Sequence, residues 1–177
     1  MWLSIKILRW CNIKHIQIND ILVEGQFGFR TSSSTYKAGF KLTDEILNAL
    51  INQMMVGGIF CYLQKAFDCV NHNILLTKIE FYGMTGTAYK LVKSCLEGRY
   101  QRMDLNNISL YPCSNWGEII YGVLQGSLLG TMLFLIYIND LLKISNDKSQ
   151  IDLFTDDTSI IVTNPKPTNF KNSVIKI

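Results

Sequence analysis

Proline is scarce in this chain, 3 residues in 177, and charged residues make up only 18%. With no low-complexity linker and no internal repeat, that scarcity points to one compact unit. Hydrophobic content of 48% beside so little charge argues against disorder. Any apolar run of about 18 residues is missing too, so no membrane-spanning helix is expected. Met1 to Cys11 breaks its short apolar run with Lys6 and Arg9 and is followed by no small-residue cleavage site, which argues against a signal peptide. The five cysteines (Cys11, Cys61, Cys69, Cys95 and Cys113) are never spaced as CxxC. An odd, scattered set argues against a zinc site and for free, buried thiols in a reducing, intracellular compartment. A net charge of +3 permits nucleic-acid binding without demanding it.

What is present is patterned. From Thr35 to about Met55, apolar residues recur at helical spacing, with Thr35 as N-cap. Gly57-Gly58 is expected to end that helix and open a strand, Ile59 to Leu63. Helices are expected from Asn73 to Phe81 and from Thr87 to Leu96, stopped by Gly83 and Gly98. Gln101 to Tyr121 reads as strand-rich, with turns at Asn106-Asn107 and from Pro112 to Asn115. Leu128 to Leu142 is apolar on nearly every face and reads as a buried helix with Ser127 near its start. This mixture suggests an α+β fold.

The segment richest in chemistry is Phe154-Thr155-Asp156-Asp157. β-Branched and aromatic residues flank the two acids, so two short strands should meet there at an acidic turn. Adjacent carboxylates at a hairpin tip suit a hard divalent cation such as Mg²⁺. A solvated Asp-Asp turn looks the same locally.

Longer blocks separate the two readings. Gln26-Phe27-Gly28-Phe29-Arg30 with Ser34-Thr35, Gly58 to Phe60 running on through Lys65-Ala66-Phe67-Asp68, and Asn71-His72 follow one another in order. Gly122 to Gly130, Leu133 to Leu141 and Phe154 to Asp157 complete the series. Together they resemble the reverse transcriptase domain of non-LTR (LINE-type) retrotransposons, over about residues 22 to 162. The resemblance implies residues 1–21 as a divergent N-terminal segment, 22–164 as reverse transcriptase-like palm and partial fingers, and 165–177 as a frayed tail with the thumb absent. The implied fold is a polymerase palm, a small antiparallel sheet backed by helices. The implied reaction is RNA-directed DNA polymerisation by two-metal nucleotidyl transfer.

Residue by residue, the resemblance assigns Asp156 and Asp157 to catalysis and to Mg²⁺. It assigns Phe67, Gln125 and Gly126 to the incoming dNTP; Arg30, with Lys37 and Lys41 downstream, is by its charge a candidate for the nucleic-acid backbone, scattered surface bases being the alternative. RNA template and DNA primer are the implied partners, and no membrane is. Tyr62 stands where the family keeps its first catalytic aspartate. A neutral phenol is a poor Mg²⁺ ligand at pH 7, so the expectation is a catalytically impaired copy. Tyr62 and Asp156 are expected to approach across neighbouring strands. The alternative is a non-catalytic module that holds RNA or a protein.

Overall fold

The structure is a computed structural model that describes residues 14–16, 18–30, 33–103, 114–144, 149–165 and 170. Its elements in chain order are α1 (Thr35–Ile51), β1 (Met55–Tyr62), α2 (His72–Phe81), α3 (Gly86–Leu96), β2 (Tyr100–Gln101), β3 (Gly117–Glu118), α4 (Leu128–Ile138), a 3₁₀ turn (Asn139–Ile144), β4 (Ser149–Phe154) and β5 (Asp157–Asn164). Mixed helices and a small antiparallel sheet bear out the α+β, palm-like expectation. The chain divides into two compact units, where one was expected from composition: residues 1–19 with 67–137, and residues 20–66 with 138–177. No proline- or glycine-rich linker marks any of the three crossings, which is why composition did not reveal the division.

The second unit carries the sheet. β5 lies centrally between β1 and β4, antiparallel to both. Ile161 and Val162 on β5 and Ile151 and Leu153 on β4 are buried. The segment before α1 runs along the outer edge of β4. Gln26 bridges Leu153 in parallel sense, the Leu153 N–H donates to the Gly25 carbonyl at 2.8 Å, and the Phe27 N–H donates to the Leu153 carbonyl at 2.8 Å. α1 begins where Ser34 Oγ accepts from the Lys37 N–H, so the cap is Ser34, one residue before the expected Thr35. The helix stops at Ile51, and Gln53 (φ +55) turns the chain into β1. Gly57 and Gly58 therefore lie inside β1 rather than at the helix end. The tip of the Phe170 ring packs on Gly57, where a Cβ would stand 2.6 Å from it.

In the first unit, α2 is capped by Asn71, whose Oδ1 accepts from the Asn73 and Ile74 N–H groups. Leu75, Ile79, Val92 and Leu96 of α2 and α3 are buried. α4 is buried along nearly its whole length, as expected of a segment with no polar face; Phe134 and Ile136 are at most 1% exposed. It ends at Ile138 rather than Leu142, the remainder tightening into the 3₁₀ turn. β2 and β3 form a ribbon of two residues each, and the expected turn at Asn106-Asn107 lies outside the described residues.

Candidate active site

The acidic segment forms a two-residue hairpin loop. Phe154 of β4 pairs with Asp157 of β5, leaving Thr155 and Asp156 as the loop. Thr155 has φ +62 and Asp156 does not share that sign, the pattern of a II′ turn, in which glycine is the usual first residue. β1 reaches the same place from the other side: Tyr62 is paired with Asp157, and the Leu63 N–H donates to the Asp156 carbonyl at 2.9 Å. Paired residues project to the same face of a sheet. Tyr62, Asp157 and Phe154 thus share one face, and the strand neighbour of Tyr62 is Asp157 rather than the expected Asp156. Tyr62 is 69% exposed, Asp157 is exposed and Asp156 is half-buried.

Two carboxylates on an open turn fit one Mg²⁺, which takes one or two protein carboxylates and fills its other positions with water or phosphate. Among the described residues, no group of three or more His, Cys, Asp or Glu is placed to hold a metal ion. The residue paired beside the acids on β1 is Tyr62.

The remaining candidate residues have diverse surroundings. Gln125 and Gly126 form an exposed turn before α4, with Gly126 at φ +79 and open space at its Cα. Ser127 Oγ accepts from the Gly130 N–H at 2.9 Å and donates to the Leu124 carbonyl at 2.8 Å, so it caps α4. Phe67 is 6% exposed and stacks on Phe134, with centroids 4.3 Å apart. Arg30 donates to the Val23 carbonyl at 3.1 Å and lies 3.7 Å from Asp20. His72 Nε2 bonds the Gly122 carbonyl at 2.7 Å, a structural role. Cys61 and Cys69 are free but exposed, which corrects the expectation of buried thiols; Cys61 lies on exposed β1 and Cys69 in the turn before α2. Among the described residues, no helix is long and apolar enough to cross a membrane.

Sequence reasoning missed a charged cluster between α1 and β4. Lys41 Nζ reaches Asp152 Oδ1 at 2.9 Å and Glu45 Oε1 at 3.8 Å. Burial raises the Glu45 carboxyl from 4.5 to about 7, helped by nearby Asp152 and less by Asp44, with Lys41 and the Gln150 side chain pulling the other way. A Lys-x-x-x-Glu pair on a helix looks like an ordinary surface pair; only Asp152, 111 residues from Lys41, makes it a buried cluster. A cavity of about 510 Å³ opens here, lined by Lys41, Glu45, Asn48 and Gln150 among others. None of Tyr62, Asp156 and Asp157 lines it, and both Glu45 oxygens are shielded from solvent. The acidic turn and the cavity are thus separate features of the surface.

Residues 4–176 match the profile of the family described as Reverse transcriptase (RNA-dependent DNA polymerase). The chain belongs to the reverse transcriptase family. It is 32% identical over 138 residues, 75% of its length, to the "Probable RNA-directed DNA polymerase from transposon BS" of Drosophila melanogaster. It is 29% identical over 148 residues (82%) to the corresponding probable polymerase of transposon X-element. Against the polymerase of mobile element jockey it is 30% identical over 142 residues (77%), both from the same fly. These relatives identify a reverse transcriptase domain of the non-LTR, LINE type. The chain spans 15 to 16% of their length. Among solved structures, apo telomerase from Candida tropicalis, truncated from its C-terminal domain, superposes with a TM-score of 0.61 at 11% identity, covering 99% of this chain and 36% of that one. A telomerase from Candida albicans, in complex with a fragment of telomeric RNA, gives 0.52 at 14%, covering 97% and 31%. At such identities the likeness is one of fold.

Proposed function

We propose that this reverse transcriptase domain derives from an enzyme of RNA-directed, two-metal DNA synthesis, and that Tyr62 leaves this copy catalytically impaired. The observation that carries the reading is the register at the acidic turn: Tyr62 is paired directly with Asp157, beside Asp156. A charged ligand at that position would share in balancing metal and phosphate charge. A phenol is a poorer ligand for a hard cation than a carboxylate, and it puts a ring beside the acids. Loss of one transition-state donor costs about 10²–10³ in rate, and loss of a charged metal ligand costs at least as much.

Mg²⁺ would be held by Asp156 and Asp157, where it would supply Lewis-acid activation of the attacking and leaving oxygens. RNA template, DNA primer and dNTP are the partners. The open turn at Gln125 and Gly126 favours contact with a nucleotide, because bare glycine lets backbone approach a ligand closely. Phe67 and Arg30 are engaged with Phe134 and with Val23 and Asp20. Contact of either with dNTP or nucleic acid therefore requires those partners to give way.

Primer extension on an RNA template tests this. The unaltered chain should incorporate no dNTP above background in Mg²⁺, and Tyr62→Asp should bind Mg²⁺ more tightly. Extension by the unaltered chain that disappears in Asp156→Ala would show that Tyr62 has not impaired the site. RNA binding that weakens steeply with salt, without extension by either form, would favour a non-catalytic module.

A further inference from the structure

Thr155 is a β-branched residue at φ +62. Such a conformation costs about 1–3 kcal/mol and persists only where its surroundings over-determine it. The surroundings here are the segment from Gly25 to Gly28, which the hydrogen bonds through Leu153 hold along β4. Those bonds carry Gly28 onto the turn. A Cβ on Gly28 would overlap the Thr155 amide nitrogen and stand 2.7 Å from Thr155 Oγ1 and 3.1 Å from its Cα. Gly25 is similarly constrained, with a Cβ falling 2.8 Å from the Ile151 carbonyl oxygen. Gly28 does not adopt a positive φ, so space is what the site demands of it. Gly28 is buried and presses on backbone, which cannot swing aside as a flexible side chain would.

We propose that Gly28 is a positioning residue for the acid pair. Its bare Cα lets the segment before α1 seat against the backbone of Thr155 and hold that residue in the left-handed region. The geometry of Thr155 in turn directs the next two residues, Asp156 and Asp157. Even one methyl group at position 28 displaces the Thr155 amide, the turn relaxes toward negative φ, and Asp156 and Asp157 shift with it. This deepens the reading of Asp156 and Asp157 as metal ligands and rests on it. It links the Gln26-to-Arg30 block to the acidic turn more than 120 residues later in sequence.

The test places Gly28→Ala in the Tyr62→Asp background and uses Gly39→Ala as control, since a Cβ on Gly39 meets nothing within 4 Å. Two readouts are taken. The first needs no metal: a strong intraresidue amide-to-Hα nuclear Overhauser effect at Thr155 reports positive φ. The second is Mn²⁺ affinity by electron paramagnetic resonance. Gly28→Ala should lose the Thr155 signature and weaken Mn²⁺ binding by about 10- to 100-fold, the range for losing a group that orients a metal ligand, while Gly39→Ala changes neither. Adding Thr155→Gly should restore part of the affinity, because it removes Oγ1 and frees φ. A Gly28→Ala protein with its Thr155 signature and Mn²⁺ affinity intact overturns the proposal. If Tyr62→Asp binds no Mn²⁺ with Gly28 in place, the metal reading falls, and the Thr155 signature alone decides whether Gly28 holds the turn. Should Gly28→Ala fail to unfold cooperatively, recovered folding in the double variant supports the contact, and absence of the Thr155 signature from the chain with Gly28 in place overturns the proposal.

Discussion

Glu45 sits with its carboxyl oxygens shielded from solvent, Lys41 on one side and Asp152 on the other. Because burial raises its pKa to about 7, the folded chain holds that proton more tightly than the unfolded chain does. The stability linked to it is complete below about pH 4.5 and is lost as pH rises through about 7. Glu45→Gln keeps the shape and does not titrate. It should match the unaltered chain in urea unfolding at pH 4 and exceed it at pH 8, with Lys41, Asp44 and Asp152 contributing the same background to both. Equal pH slopes for the two proteins would remove Glu45 from the account. At this scale the sequence was legible where chemistry is local and opaque where it depends on distant chain. The paired acids and the turn could be read directly, and the odd tyrosine through the family resemblance. The Lys41–Asp152 contact and the Gly28–Thr155 approach could not, because their partners lie more than 100 residues away.

Helices and strands were read most accurately where their ends carry local punctuation. Asn71 caps α2, and Gly83 and Gly98 follow α2 and α3 at φ +80 and +64, as the sequence suggests. α1 misled in two ways. Its end is set by Gln53 at φ +55 and not by Gly57-Gly58, whose bare Cα atoms serve close packing within β1 instead. Its apolar periodicity also exceeds what it buries: Ala49 is buried, whereas Phe40, Leu47, Leu50 and Ile51 are more than half exposed. α4 shows the opposite behaviour, with Phe134 at 1% exposure. Two substitutions separate the helices by energy. Phe134→Ala should lower unfolding free energy by about 3–5 kcal/mol through lost burial and a residual cavity. Phe40→Lys should change it by no more than about 0.5 kcal/mol, as surface substitutions usually do. Chemical denaturation measures both, and a large loss from Phe40→Lys would mean that α1 packs against more than its exposure indicates.

Across the whole molecule, fold has outlasted sequence. A TM-score of 0.61 survives at 11% identity to a telomerase, so the arrangement depends on patterns of burial and turn geometry more than on particular residues. Under the proposed function the acidic turn is where particular residues matter, and its charges give a prediction for stability. Tyr62→Asp sets a third carboxylate on β1 directly opposite Asp157. Without metal, like charges across a strand pair destabilise the sheet, so in EDTA this variant should melt below the unaltered chain. A bound cation reverses the sign, because a ligand that binds only the folded state stabilises it by RT ln(1 + [L]/Kd), about 2.7 kcal/mol when free Mg²⁺ is a hundred times Kd. Raising Mg²⁺ should therefore lift the melting temperature of Tyr62→Asp well beyond any rise in the unaltered chain, whose turn offers only Asp156 and Asp157. Adding Asp157→Ala to Tyr62→Asp should relieve the repulsion in EDTA and remove most of the gain in Mg²⁺. Calorimetry over a Mg²⁺ series, with Na⁺ at matched ionic strength to separate screening from binding, reads all three proteins. If Tyr62→Asp and the unaltered chain rise in parallel, position 62 is not part of the metal site, and the impairment proposed for this copy loses its physical basis.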